Sequence, residues 1–445
     1  MIIRSIILFF LIQITSAQEL SVKGKVFSNG LPLEGVSVLL KGSNIGTITN
    51  YNGQFELNIT NLKNQKLIFS FIGYKPVIRK IVSGDLNLGT ILLETDETLD
   101  EVVVSGTLKP VYKLDSTVPV EVYGQTFFKA NPTASIFEAL ENINGIRPQL
   151  NCNVCNTGDI HINGQEGSYT MILIDGLPIV SGLSTVYGLS GIPQSLIERV
   201  EVVKGPASTL YGSEAIGGVI NLITKLPENT SKLAVDSFLS GWGEVNTDIG
   251  YKYILSDKNS GLLGINYFNY SNPVDNNKDG FTDLTLQDRI SIFNKLTFGT
   301  KLSIATRFVF EDRWGGQMNW LPKYRGGDIL YGESIYTSRF ETFGKYELNS
   351  NFILSFSFND HNQDSFYGST PFNANQTIGF SQFVWNKNIK RHDLLIGLAY
   401  RYTNYDDDTT ATFNEVLNVN QGTITHLPGI FIQDEIKFNL KNSLL

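Results

Sequence analysis

The chain has 445 residues and a formal net charge of −8, with 28 Phe, 19 Tyr, 41 Gly and only 18% charged residues. That length exceeds one compact core and predicts two or three units. The acidic balance excludes a phosphate-binding surface for nucleic acid, which needs a basic excess. Abundant aromatics and glycine suit many short strands and turns, so the class predicted is mainly β.

Residues 1–17 carry one cation at Arg4, an apolar run from Ile6 to Ile14 and small residues to Ala17, the pattern of a secretory signal peptide. The run is too short to span a bilayer, and no cysteine follows it to take a lipid. No later stretch holds about 18 apolar residues, so a membrane span must be a closed barrel of strands.

Residues 18–94 read as a small all-β domain, with strand-like segments over Leu20–Phe27, Val36–Lys41, Gly53–Ile59, Leu67–Phe71, Val77–Val82 and Gly89–Leu93. The order Val22–Val26, Leu33–Val38, Gly46–Phe55 and Phe71–Tyr74 resembles the carboxypeptidase regulatory-like sandwich. The segment contains no histidine, so a zinc peptidase centre is not expected. It is either an interaction or signalling extension or a stabilising spacer.

Residues 95–114 form a linker in which Asp100 and Glu101 precede Val102, Val103 and Val104. The valines are β-prone and the acids keep them solvated, which suits a segment that adds as a strand to a partner's sheet edge. The other reading is a strand of a neighbouring domain.

Residues 115–226 alternate strands with glycine-bearing turns. Pro132–Ile143 has helical spacing at Ile136, Ala139, Leu140 and Ile143, with Thr133 or Ser135 placed to cap it. Tyr169–Ile174 is a strand closed by an Asp175-Gly176 turn and Pro178. Glu198–Lys204 alternates as a strand and Gly205-Pro206 stops it; Tyr211-Gly212 and Gly217-Gly218 precede an apolar strand through Asn221. This ordered run closely resembles the plug domain of TonB-dependent outer-membrane receptors, on Asp175, Gly176, Lys204, Gly205, Pro206, Tyr211, Gly212, Gly217, Gly218 and Asn221. The resemblance makes Asp100–Val104 the TonB box and implies the TonB-ExbB-ExbD energy-transducing complex as partner. Cys152 and Cys155, the only cysteines, stand two residues apart in an exported chain: a local disulfide, or a soft-metal or thiol-exchange site to which His161 adds a ligand.

Residues 227–445 keep a period of two. Ile290, Ile292, Leu296 and Phe298 oppose Arg289, Ser291 and Lys295; Phe308 and Phe310 oppose Arg307 and Glu311. Short turns near 256–260, 299–301, 349–351 and 387–391 alternate with long loops near 271–288, 313–333, 366–376 and 406–426, as in a barrel embedded in outer-membrane lipid. About ten strands are predicted, the first part of a barrel that in plugged transporters has about 22. The expectation is a fragment or a truncated gene product.

In the loops, Asp275, Asn277, Asp279 and Asp283 with Gly280 look like the first part of a calcium loop, although Leu286 stands where a full one has its bidentate glutamate. The alternatives are a structural calcium ion or a solvated turn. Trp314, Trp320, Tyr324 and Arg325 combine aromatics with a cation, for ligand contact or loop packing. No nucleophile and base or metal triad marks an enzyme. The resemblance implies active transport across the outer membrane, with ferric siderophore first among cargoes, then cobalamin, haem or copper. The other class is a ligand-sensing surface receptor without transport. No cofactor is required by this reading.

Overall fold

The computed structural model describes residues 20–28, 30–43, 45–59, 65–71, 74–81, 87–94, 102–133, 135–152, 157–178, 188–189, 191–439 and 442–445. Two compact units arise: Val103–Val111 with Asp115–Leu445 make one, and the preceding residues with Tyr112–Leu114 the other.

The first unit is a sandwich of two sheets. In one, Leu20–Ser28 pairs antiparallel with Gln54–Ile59 and parallel with Asn87–Leu92. The other runs Gly46–Ile48, Ser37–Leu40, Lys66–Ser70, Val77–Lys80. Alternation sends Val22, Val26, Val38, Phe55, Leu57, Leu67 and Phe69 into the shared core. Phe55 and Phe69 meet edge to face at 5.3 Å.

The plug is built on a five-stranded sheet in the order Glu121–Gly124, Ile197–Lys204, Gly218–Thr224, Thr170–Ile174, Leu177–Pro178. Thr170–Ile174 runs parallel to Gly218–Thr224, and the remaining pairs are antiparallel. Apolar side chains from both faces are buried, as expected of central strands covered on each side. The Asp175-Gly176 turn takes φ of 50° and 79°, the left-handed pair that a tight hairpin with native twist needs. Gly218, at φ 149°, lies so close to the neighbouring strand that a Cβ would stand 2.3 Å from the Val203 carbonyl oxygen. The predicted helix is shorter than its periodicity: Ile136–Ala139 is α-helical and Leu140–Asn142 continues as a 3-10 turn. Ser135 caps it, its Oγ accepting from the Glu138 amide at 3.4 Å. A helix over Gln125–Ala130 was not anticipated, because its polar and apolar residues do not repeat over a second turn.

Leu233 onward forms one antiparallel sheet of eleven strands, ten as predicted and a three-residue edge strand, Asn442–Leu444. Its long strands run from 12 residues, Val245–Ser256, to 20, Thr370–Ile389. The sheet inverts the soluble rule. Ile290, Ile292, Phe308, Phe310, Phe340 and Phe358 project outward and exposed, whereas Arg289, Ser291, Lys295, Arg307, Glu311 and Glu341 are buried on the concave side facing the plug. Among the described residues no helix is long and apolar enough to cross a membrane. One connection differs from expectation: the long loop predicted over 366–376 is a two-residue turn, Tyr367 pairing with Thr370. Its glycine, proline and asparagines read as loop, yet backbone pairing continues through Pro371 opposite Phe366.

Plug and sheet interlock within the second unit. Leu196 presses on Gly264, where a Cβ would sit 2.1 Å from its Cδ1, and on Gly250 at 3.1 Å. These bare backbone positions let the plug pack directly on the wall.

Candidate functional site

The site is assembled around a carboxylate that an apolar strand should not contain. Glu201 lies mid-strand between Val200 and Val202, opposite Asn221 on the adjacent strand, and is fully buried. Such a charge survives burial only when fully paired. Its Oε1 accepts from Arg199 Nε at 3.0 Å and Nη2 at 2.8 Å. Its Oε2 accepts from the Val104 amide at 3.0 Å, the Ser105 amide at 3.0 Å and Ser105 Oγ at 2.6 Å.

Two more plug side chains complete the clasp. Asn221 Nδ2 donates to Ser105 Oγ at 2.9 Å, and Tyr211 Oη donates to the Ser105 carbonyl at 3.1 Å. Burial first, then the nearby Glu201 charge, pushes the Tyr211 phenol far above its ordinary value, which keeps it a donor. Val103 packs with Val120, Met171, Leu173, Val203 and Val219 in an apolar cluster. Leu108, at φ 54°, turns the chain and its amide donates to the Val104 carbonyl at 2.9 Å. The segment from Val103 to Thr107 is thus held on the plug sheet by its backbone, one hydroxyl and one buried valine.

The clasp continues to the barrel wall. Asn221 Oδ1 accepts from the Gly176 amide at 2.8 Å, in the Asp175-Gly176 turn. Asp175 accepts from the Thr224 amide at 2.8 Å, Thr224 Oγ1 at 2.7 Å and, from the wall, Lys295 Nζ at 2.9 Å. Burial pushes the Asp175 carboxyl up, but the Lys295 ammonium and the Thr224 donors outweigh it and hold it below its usual range. Farther along the wall, Arg401 pairs with Glu214 of the plug, and Lys109 with Asp393. Arg307 bridges Glu341, at 2.7 Å, and the Gly188 carbonyl, at 2.5 Å.

Of the residues singled out from sequence, Val103, Val104, Asp175, Gly176, Tyr211 and Asn221 converge here, while Val102 is exposed at the margin. Lys204 instead pairs with Glu121 at 2.6 Å, and Gly205, Pro206, Gly212 and Gly217 shape the turns that place Tyr211. Asp100, Glu101 and Cys155 lie outside the described residues, so the cysteine pair does too. Sequence reading missed Ser105, Glu201 and Lys295. The signal available for Glu201 was its place between Val200 and the pair Val202-Val203; nothing local marked the other two.

The acidic loop folds on itself. Asp275 accepts from the amides of Asp279 at 3.2 Å and Gly280 at 2.9 Å, Asn277 from Asp279 at 3.0 Å, and Asp283 from Asn276 at 2.7 Å. Lys278 and Gly280 supply the positive φ that gathers these oxygens. Among the described residues no group of three or more His, Cys, Asp and Glu is placed to hold a metal ion. In the aromatic loop, Arg325 stacks on Tyr336 at 4.3 Å and Phe366 at 4.6 Å and binds Asp364 at 2.9 Å, while Trp320 is buried over Gly332. Trp314 lies in the strand Leu302–Gly316, against an apolar cluster with Phe268 and Leu286, and Tyr324 closes a short 3-10 turn.

Comparison with known proteins agrees with this geometry. Residues 113–219 match the TonB-dependent Receptor Plug Domain and residues 22–104 the CarboxypepD_reg-like domain. Similar solved structures include the ferric enterobactin receptor of Pseudomonas aeruginosa, at TM-score 0.56 and 16% identity over 76% of this chain and 57% of that one. The siderophore receptor PirA from Acinetobacter baumannii follows, at 0.54 and 16% over 74% and 55%. The ferric-catecholate import receptor Fiu from E. coli K12 gives 0.52 and 16% over 75% and 59%. The chain therefore spans somewhat more than half the length of these structures. In carrying a carboxypeptidase regulatory-like domain, a plug and a partial barrel in that order, the chain is similar to TonB-dependent receptors.

Proposed function

We propose that the protein is an outer-membrane active transporter whose plug is rearranged by pulling on Val102–Val104, with a ferric siderophore as cargo. The observation that carries the reading is the clasp of Val103–Thr107 by Glu201, Asn221 and Tyr211: a β-prone segment whose strand Val102–Val103 pairs only with the short strand Val111–Tyr112 among the described residues and is fastened to the plug by side chains, outside the plug sheet. Such a segment can leave its dock and pair with a partner's sheet edge without unfolding the plug. The partner is the TonB-ExbB-ExbD complex, since a barrel with no nucleotide supply needs work delivered from elsewhere. The apolar outer face of the sheet supports a lipid setting, and the similar solved receptors support an iron chelate.

Uptake of labelled ferric siderophore and of cobalamin in cells expressing Val103→Pro separates transport from sensing. Proline removes the donor and fixes φ, so strand addition fails. Transport collapses while surface binding persists; unchanged uptake would remove the coupling role from this segment. A structural calcium ion belongs to the same proposal, Asp275, Asn277, Asp279 and Asp283 turning from the amides they now accept from to gather about it and stiffen their loop. Isothermal titration with calcium gives heat that Asp279→Ala abolishes; no heat in the unaltered protein retires the ion.

A further inference from the structure

The two outer faces of the N-terminal sandwich differ in kind. On the first sheet Ser21, Lys23, Glu56 and Asn58 project outward, and Lys23 is paired with Glu56 at 2.8 Å. On the second, Leu39, Ile68 and Ile78 align in register across three strands, with Ile48 beside them on the fourth. Ile48 is 68% exposed and Ile78 53%. Two residues along each strand lies a second row, Lys41, Lys66 and Lys80: Lys66 is opposite Lys80, and the Lys41 amide donates to the Lys66 carbonyl. Among the described residues none of the three lysines has an ion-pair partner. Residues 18–94 hold eight Lys and Arg against five Asp and Glu, an excess of positive charge in a chain whose net charge is −8.

We infer that this face docks on an anionic phospholipid surface, the isoleucine and leucine row entering the headgroup boundary and the lysine row meeting lipid phosphates. The inference rests on the outer-membrane reading above. Two observations favour lipid over a protein partner. The rows run across neighbouring strands on one open sheet face, so they meet a surface without needing a shaped pocket. A step of two residues sets them about 6.6 Å apart, within the reach of a lysine stem that lies along apolar surface while its ammonium stays at headgroup level. Apolar insertion with basic residues around it is the combination that holds peripheral domains on charged bilayers. Proximity is supplied covalently: however residues 95–101 are arranged, the chain from Glu94 to Val103 reaches at most about 30 Å, which keeps the domain at high effective concentration near the bilayer that holds the barrel.

Amine acetylation read by mass spectrometry tests this on the whole protein in nanodiscs. In phosphatidylcholine with phosphatidylglycerol, Lys41, Lys66 and Lys80 are acetylated roughly fivefold more slowly than in phosphatidylcholine alone, given the strength of one lysine at a charged surface. Lys23 and Lys25, on the opposite sheet, react alike in both. High salt, or Ile48→Ser with Ile78→Ser, removes the protection. Equal rates in both lipids overturn the inference, and protection in both overturns it as well, since that marks burial against protein. Heat-modifiable migration of the same sample reports whether the barrel is inserted, so failure of the membrane reading is seen separately from failure of the docking face.

Discussion

Glu201→Ala will release Val103–Thr107 from the plug while leaving the barrel intact. The substitution deletes the acceptor for two backbone amides and one hydroxyl and removes the carboxylate that binds Arg199 at 3.0 and 2.8 Å, leaving that guanidinium to Glu198 at 2.9 Å. Removing one member of a buried charged pair costs roughly 3–5 kcal/mol when its partner is left alone, and here the cost lies toward the low end because Glu198 still pairs with Arg199. Only part of that falls on the docked segment, since Asn221 and Tyr211 still hold Ser105. Hydrogen exchange at the Val104 and Ser105 amides will accelerate about 100-fold, the equivalent of about 3 kcal/mol of lost opening energy. Exchange in Gly218–Thr224 will change far less, because its ladder to Ile197–Lys204 and Thr170–Ile174 is untouched. Glu201→Gln, which keeps one acceptor oxygen, falls between. Unaltered exchange at Val104 in the alanine variant would show that Val103 in its apolar cluster does the holding.

Such a variant also separates docking from coupling. If the segment must leave its dock before a partner can pull it, loosening the dock raises partner binding without ligand and leaves ligand affinity alone. That outcome differs from Val103→Pro, which disables the segment as a strand.

How much of this was readable beforehand depended on whether the determinant was local. The sheet was legible because Ile290 alternating with Arg289 and Ser291, repeated strand after strand, needs only a period of two. The Asp175-Gly176 turn was legible because those residue types tolerate the φ it requires. The clasp was not: Ser105 meets Glu201 across 96 residues and Lys295 meets Asp175 across 120, and a single sequence holds no trace of which distant polar groups share a cavity. The aromatic loop was left between ligand contact and loop packing. Arg325 beside Trp320 and Tyr324 suggested a ligand surface, but its guanidinium is engaged by Tyr336, Phe366 and Asp364, partners on other strands.

The second large effect belongs to the junction between plug and wall. Lys295→Met removes the ammonium that touches Asp175, Thr224 Oγ1 and the Thr224 carbonyl, leaving the carboxylate with Thr224 as its remaining donor. The plug will lose about 3 kcal/mol against urea, and Asp175→Asn alone a comparable amount, because it leaves the buried Lys295 ammonium without its counter-charge. The double variant will be more stable than the sum of the two predicts, the excess being the coupling energy of the pair. The pH profile carries the same signature. Asp175 titrates in the folded protein below its ordinary value of 3.8, so its contribution is complete above that pH and is lost as pH falls through the lowered value. The unaltered plug will therefore show a loss of urea resistance below about pH 4 that Lys295→Met largely abolishes. Since Asp175 is joined through Gly176 and Asn221 to Ser105, exchange at Ser105 will quicken in Lys295→Met if wall and segment are energetically linked. Equal exchange there, with the plug loosened, would confine Lys295 to seating the plug and leave the segment's release to Glu201 alone.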